Sequence, residues 1–162
     1  MSSRDKIHVL SRAVIVDRGQ ILLCKTRSLK TNFYFLPGGH IENGESVRSS
    51  LIRELKEETG FECTIKRFLG CLEYSFVPGH SSICHNHEYN FIFEAESSAL
   101  TSNETMVCEE DNIELMWKPL DQLSKLDFRA EPLQKLIPHW LAKKEDSDIF
   151  ASEMVPQTVS DV

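Results

Sequence analysis

The stretch that most constrains this chain is "FLPGGHIENGESVRSSLIRELKEETGF", residues 35–61, where a glycine-rich turn runs straight into a helix crowded with carboxylates. Pro37 and two glycines stop the short aromatic strand "FYFLPGG". Ser46 suits an N-cap and Gly60 a C′ stop, which predicts a helix over "VRSSLIRELKEET". At about 100° per residue, Glu54, Glu57 and Glu58 stand at i, i+3 and i+4 and share a face. Leu51, Ile52 and Leu55 fall on a face rotated by roughly 120° and are expected to bury. Arg53 borders the acidic stripe and can brace one of its members, while Glu42 and Glu45 lie in the preceding turn.

Like charges at these spacings destabilise an isolated helix by a few tenths of a kcal/mol per pair. On its own, "ELKEE" reads as a solvated charged face. The glycine turn in front of it favours a cradle in which hard oxygen ligands converge on Mg²⁺, with Mn²⁺ able to substitute. Gly38-Gly39 after a strand lets the backbone approach a ligand closely and can aim a carbonyl at the metal.

The rest of the chain limits what can surround such a cradle. At 162 residues, 41% hydrophobic and 27% charged, it reads as one globular domain over 1–145, followed by a polar tail over 146–162 that is expected to be flexible. No apolar run is long enough to span a bilayer, and "MSSRDKIHVLSRAV" has no secretory pattern, so the expected location is cytoplasmic. Five cysteines without a CxxC pair argue against a disulfide framework. The net charge of -7 disfavours a broad nucleic-acid surface but leaves room for a small anionic ligand held through bound cations. A homodimer is allowed.

"KIHVLSRAVIVD" and "QILLCKTR" form a hairpin signal around Asp17-Arg18-Gly19. "FECTIKRFLGCLEYSF" reads as a strand bulged near Gly70, and "HEYNFIFEAE" and "IELMWKP" as further strands. "PLDQLSKL" and "EPLQKLIPHWLAKK" read as helical, the second bent at Pro138. This order suggests an α/β sandwich.

From Gly39 the pattern is five residues to Glu45, seven more to Arg53-Glu54-Leu55, then Glu57-Glu58 and Gly60-Phe61. It is similar in every fixed position to the signature of the Nudix hydrolase (MutT-like) family. The resemblance implies a Nudix-type α/β/α sandwich with a mixed β-sheet, and cleavage of a diphosphate linkage in a nucleoside diphosphate joined to another moiety. It implies that Glu54, Glu57 and Glu58 ligate Mg²⁺ with the Gly38 carbonyl, and that Gly38 and Gly39 border the substrate. Arg53 would orient Glu54, Glu45 would lock the loop against the helix, and Leu55 and Phe61 would pack in the core. Glu54 is one candidate for the general base. A later loop, "CEEDNIEL", offers Glu109, Glu110, Asp111 and Glu114, with Glu110 a further metal-ligand candidate.

Substrate choice lies outside the signature. Tyr34, with Phe33, Phe35 and Trp117, can stack on a base or serve the core. His87 can touch a phosphate at the cleft edge. His80, Cys84, His85 and His87 are spaced too loosely for a convincing zinc site. Pro78 and Tyr74 do not stand at the spacings associated with ADP-ribose or dinucleoside polyphosphate hydrolases. Two alternatives remain: a nucleotide-binding protein of this fold without catalysis, and an isoprenoid-diphosphate isomerase, which would rely on a catalytic cysteine and histidine ligands.

Overall fold

The computed structural model describes residues 6–27, 32–76, 86–143 and 150–153. Among the described residues, two β-sheets and two α-helices make up an α/β architecture. The first sheet runs β10 (Phe150–Glu153), β6 (Thr64–Ser75), β7 (His87–Glu96), β1 (Ile7–Val14), β5 (Gly38–His40). It is mixed: β1 pairs parallel with β7 and β10 parallel with β6, while β6–β7 and β1–β5 are antiparallel. The second sheet runs β2 (Val16–Asp17), β3 (Gln20–Thr26), β4 (Tyr34–Phe35), β9 (Phe128–Arg129), with β8 (Ile113–Pro119) also on β3.

The expected hairpin is present between β2 and β3, with Arg18 and Gly19 at φ 50° and 76°. Both positive values suit a two-residue turn whose twist matches the flanking strands. The chain changes sheets just before it, since β1 belongs to the first sheet and β2 to the second. The predicted bulge appears as register shifts at Ile65/Arg67 and Phe68/Gly70. "LDQLSK" forms a 3₁₀ helix, Leu120–Lys125.

Side-chain alternation along the strands divides the core in two. On one face Val14, Leu72 and Ile92 pack with Leu133, Ile137 and Trp140 of α2 (Leu133–Ala142), which carries Pro138 within it. On the other, Ala13, Ile15 and Phe93 pack with Leu51 and Leu55 of α1 (Val47–Thr59). The helices therefore cover opposite faces of the first sheet, as in a sandwich. Among the described residues no helix is long and apolar enough to cross a membrane.

Two expected core positions are corrected. Ile52 is 42% exposed and Phe61 41% exposed. The dry face of α1 instead runs through Ser50, Leu51, Leu55, Glu58 and Thr59, because the helix is rotated to bring Ser50 against Ser11 and Glu58 against β3 and β5. Pro78, His80, Cys84 and His85, weighed above from the sequence, lie outside the described residues.

Candidate active site

The site is assembled where β5 feeds α1. Gly38 and Gly39 do more than stop a strand: they are the first residues of β5, opposite Arg12 and Ser11 of β1. Their lack of side chains is what allows this. A Cβ on Gly38, at φ 124°, would lie 2.1 Å from the Ser11 carbonyl oxygen, and one on Gly39 would lie 2.4–2.6 Å from the Glu54 carboxylate. Helix α1 then starts where predicted, with the Ser49 N–H donating to Ser46 Oγ at 3.1 Å. It stops at Gly60, φ 77°, whose N–H donates to the Lys56 carbonyl.

Arg53 organises the acidic face. Its Nε and Nη2 donate to the two oxygens of Glu45 at 2.7 and 3.0 Å, and its Nη1 donates to Glu54 Oε1 at 2.9 Å and Glu57 Oε2 at 3.3 Å. A bidentate guanidinium–carboxylate pair fixes both partners in one plane. Hydrogen bonding from Arg53, with help from the Glu42 N–H, holds the Glu45 carboxyl down at about 2. Arg53 Nη2 also donates to the His40 carbonyl at 3.2 Å, tying the loop to the helix.

Beyond this brace, carboxylate oxygens of Glu54, Glu57 and Glu110 come within 4.8 Å of one another. Glu54 is partly buried, and desolvation raises its pKa against the opposing pull of Arg53. Glu110 arrives because its loop is pinned to the end of α1, where the Glu109 N–H donates to the Glu58 carbonyl at 3.0 Å. Three converging carboxylates with one half-buried member fit a hard divalent cation, which offsets their mutual repulsion. Of the other loop candidates, Glu109 packs beside Gly60, Glu114 pairs with Arg27 at 3.6 Å, and the Asp111 carbonyl accepts from Arg27.

Glu58 faces elsewhere. It is 3% exposed, its Oε2 accepts from the Gly38 N–H at 2.9 Å, and its Oε1 lies 3.9 Å from Cys24 Sγ. Burial pushes its carboxyl up to about 8, although the Gly38 hydrogen bond and Arg12 pull the other way. The structure thus separates it from the Glu54–Glu57–Glu110 group and sets it as a clamp beneath the glycine strand.

Arg12 is the residue that the sequence reading missed. Its Nη1 donates to the carbonyls of Leu36 at 3.0 Å and Gly38 at 2.7 Å, and its guanidinium lies over the Phe35 ring. A carbonyl has two lone pairs, so the Gly38 oxygen keeps one for a cation. The signal was a lone charge inside the apolar run "HVLSRAVIV". Tyr34 sits in the second sheet, with the ammonium groups of Lys25 and Lys118 at 5.6 and 5.5 Å from its ring centroid. His87 opens β7 beside Tyr89, and its Nε2 is buried without a hydrogen-bond partner among the described residues. Trp117 packs against the α1-side core.

A loop–helix of this form, mounted on a mixed sheet between two helices, defines a class of protein. The NUDIX domain family profile matches residues 7–141, and the chain belongs to that family. It is 31% identical over 136 residues to a NAD-capped RNA hydrolase NudC of Pseudomonas aeruginosa, covering 83% of this chain but only 44% of that protein. It is 32% identical over 128 residues to an ADP-ribose pyrophosphatase of Methanocaldococcus jannaschii, covering 78% and 70% of the two chains. A MutT protein of Bacillus halodurans superposes with a TM-score of 0.62 at 25% identity, covering 84% of this chain and 83% of that one. The E. coli ORF135 protein, at 20% identity and a TM-score of 0.65, shares the fold.

Proposed function

We propose that the protein hydrolyses a phosphoanhydride bond in a nucleoside diphosphate linked to another moiety, with Mg²⁺ as cofactor and Mn²⁺ as substitute. The observation that carries this reading is the convergence of Glu54, Glu57 and Glu110 above a glycine whose missing side chain leaves room for Glu54. Curated relatives support the substrate class: their names describe hydrolysis of NAD-capped RNA, ADP-ribose and 8-oxo-dGTP. All three carry a diphosphate attached to a nucleoside.

Glu54, Glu57 and Glu110 would hold the cation, while Glu58 holds the Gly38 N–H. When bound, such an ion neutralises diphosphate oxygens and lowers the pKa of water. The protein's own groups do the rest. Arg53 Nη1 donates to Glu54 Oε1 and holds that carboxylate against the Gly39 backbone. Desolvation raises the proton affinity of that carboxylate, which suits Glu54 to accept a proton from attacking water. Glu45 holds Arg53 from the far side, so that the arginine cannot swing away. Glu58 and Arg12 hold the glycine backbone in place through the Gly38 N–H and the Gly38 carbonyl.

A panel of ADP-ribose, NAD, NAD-capped RNA, sugar nucleotides, dinucleoside polyphosphates, and ordinary and oxidised nucleoside triphosphates tests the reading. Phosphate or monophosphate release that requires Mg²⁺ and stops with chelator is the expected result. Binding of these compounds without release from any of them would refute hydrolysis.

A further inference from the structure

We propose that His8 and His40, with Glu88 beside them, form a second cation site, for a borderline divalent ion of the zinc class, separate from the carboxylates of α1. His40 Nε2 lies 2.7 Å from His8 Nδ1, with the rings edge-on at a centroid separation of 4.6 Å. The topology brings them together. His40 is opposite Leu10 in the antiparallel β1–β5 pair, and His8 lies two residues before Leu10, on the same face. In the parallel β1–β7 pair His8 is directly opposite Glu88. Three adjacent strands thus carry His40, His8 and Glu88 across one face of the sheet.

The chemistry favours a cation. Two ring nitrogens in hydrogen-bond contact require that at least one be an unprotonated acceptor, the form in which imidazole ligates metal. A small spreading of the rings lets both nitrogens reach a zinc-class ion at the usual Zn–N distance of about 2.0–2.1 Å. Imidazole suits zinc, copper and nickel, whereas the carboxylates of α1 suit magnesium, so the two sites divide metals by ligand type. Glu88 disfavours an anionic occupant. Its Oε1 accepts from the Nδ2 of buried Asn90 at 2.9 Å, which holds the carboxylate in one orientation. Glu88 does not complete a tight three-ligand group as it stands, so its part is that of a neighbouring carboxylate that orients an imidazole or closes on the ion.

The position gives such an ion a consequence. The His40 carbonyl accepts from Ser50 Oγ at 3.1 Å and from Arg53 Nη2 at 3.2 Å. A cation fixed at His40 would therefore restrain the end of β5 and, through it, the arginine that braces Glu45 and Glu54.

The test uses the full chain, stripped of metal and held in excess Mg²⁺, titrated with Zn²⁺ by calorimetry and with Cu²⁺ by electron paramagnetic resonance. One zinc per chain and copper coupled to two nitrogens are expected. His8→Ala and His40→Ala should each remove stoichiometric zinc binding and the two-nitrogen spectrum, while Glu57→Gln keeps both. Circular dichroism checks folding, and His40→Gln serves if the alanine variant is unstable. Glu88→Gln should weaken zinc by about tenfold or more. A spectrum without nitrogen coupling, or one that survives loss of either histidine, overturns the site; unchanged affinity in Glu88→Gln overturns the role of the carboxylate.

Discussion

Glu57 and Glu58 are neighbours on one helix, yet they live in opposite surroundings. The Glu57 side chain is half exposed and joins Glu54 and Glu110 in the open group, whereas Glu58 is buried and accepts a backbone N–H. A turn of about 100° separates them, enough to carry one carboxylate from solvent into the contact between α1 and the two sheets. An acidic stripe on a helical wheel is therefore not one functional unit. The outer members can gather a cation, while the inner one fixes the strand on which the cation's neighbours stand.

The sharpest way to break that contrast is to remove charge from the outer member. Glu57→Gln is expected to leave the fold intact by circular dichroism and to cut Mg²⁺-dependent turnover by orders of magnitude. Near-normal turnover would contradict its role. The next largest effect is on stability. Gly38→Ala would drive a Cβ into the Ser11 carbonyl at a positive φ, so a loss of about 3 kcal/mol or more is expected in denaturant unfolding. Gly39→Ala meets only the movable end of Glu54, so it should cost far less stability while still displacing that carboxylate and lowering turnover. Equal damage to stability from the two glycine variants would show that the Glu54 cradle is not what Gly39 serves.

Glu58 sharpens the comparison through pH. Its folded carboxyl is held up at about 8, against an ordinary value of 4.5. Between those values the folded state keeps a proton that the unfolded state releases, so this group's contribution falls as pH rises and is lost above about 8. Thermal melts of metal-free protein should show Glu58→Gln gaining stability relative to wild type from pH 5 to pH 9, with a flat difference counting against burial as the cause. Glu45 has the opposite sign: held down at about 2, its contribution is complete above 4.5 and disappears as pH falls toward 2. The smallest effect belongs to Ile52. As an exposed side chain it should change stability by about 0.5 kcal/mol or less when cut to alanine, against about 2–5 kcal/mol for buried Leu55.

Local signals in the sequence reached furthest. Ser46 and Gly60 bound the helix at the expected residues because capping depends on a few neighbouring atoms. The turn at Arg18-Gly19 and the bulge near Gly70 were legible for the same reason. What depended on distant packing was not. Helical periodicity grouped Ile52 with Leu51 and Leu55, but the seat of α1 is set by Ser11, Cys24 and Gly38 on three other strands. Phe61 follows the helix stop, where the chain turns outward. Gly38-Gly39 looked like a turn and is a strand, because the partner that makes it one, Ser11-Arg12, lies far upstream. Arg53 with Glu45 was readable from charge and spacing, whereas the arrival of Glu110 required the loop to be tied to the Glu58 carbonyl.

The most direct test of the central claim is the anomalous diffraction signal from crystals soaked in Mn²⁺. A peak is expected within ligand distance of the Glu54 and Glu57 carboxylates, facing Glu110. A fully soaked crystal with no peak there, or with those oxygens turned apart, would contradict it.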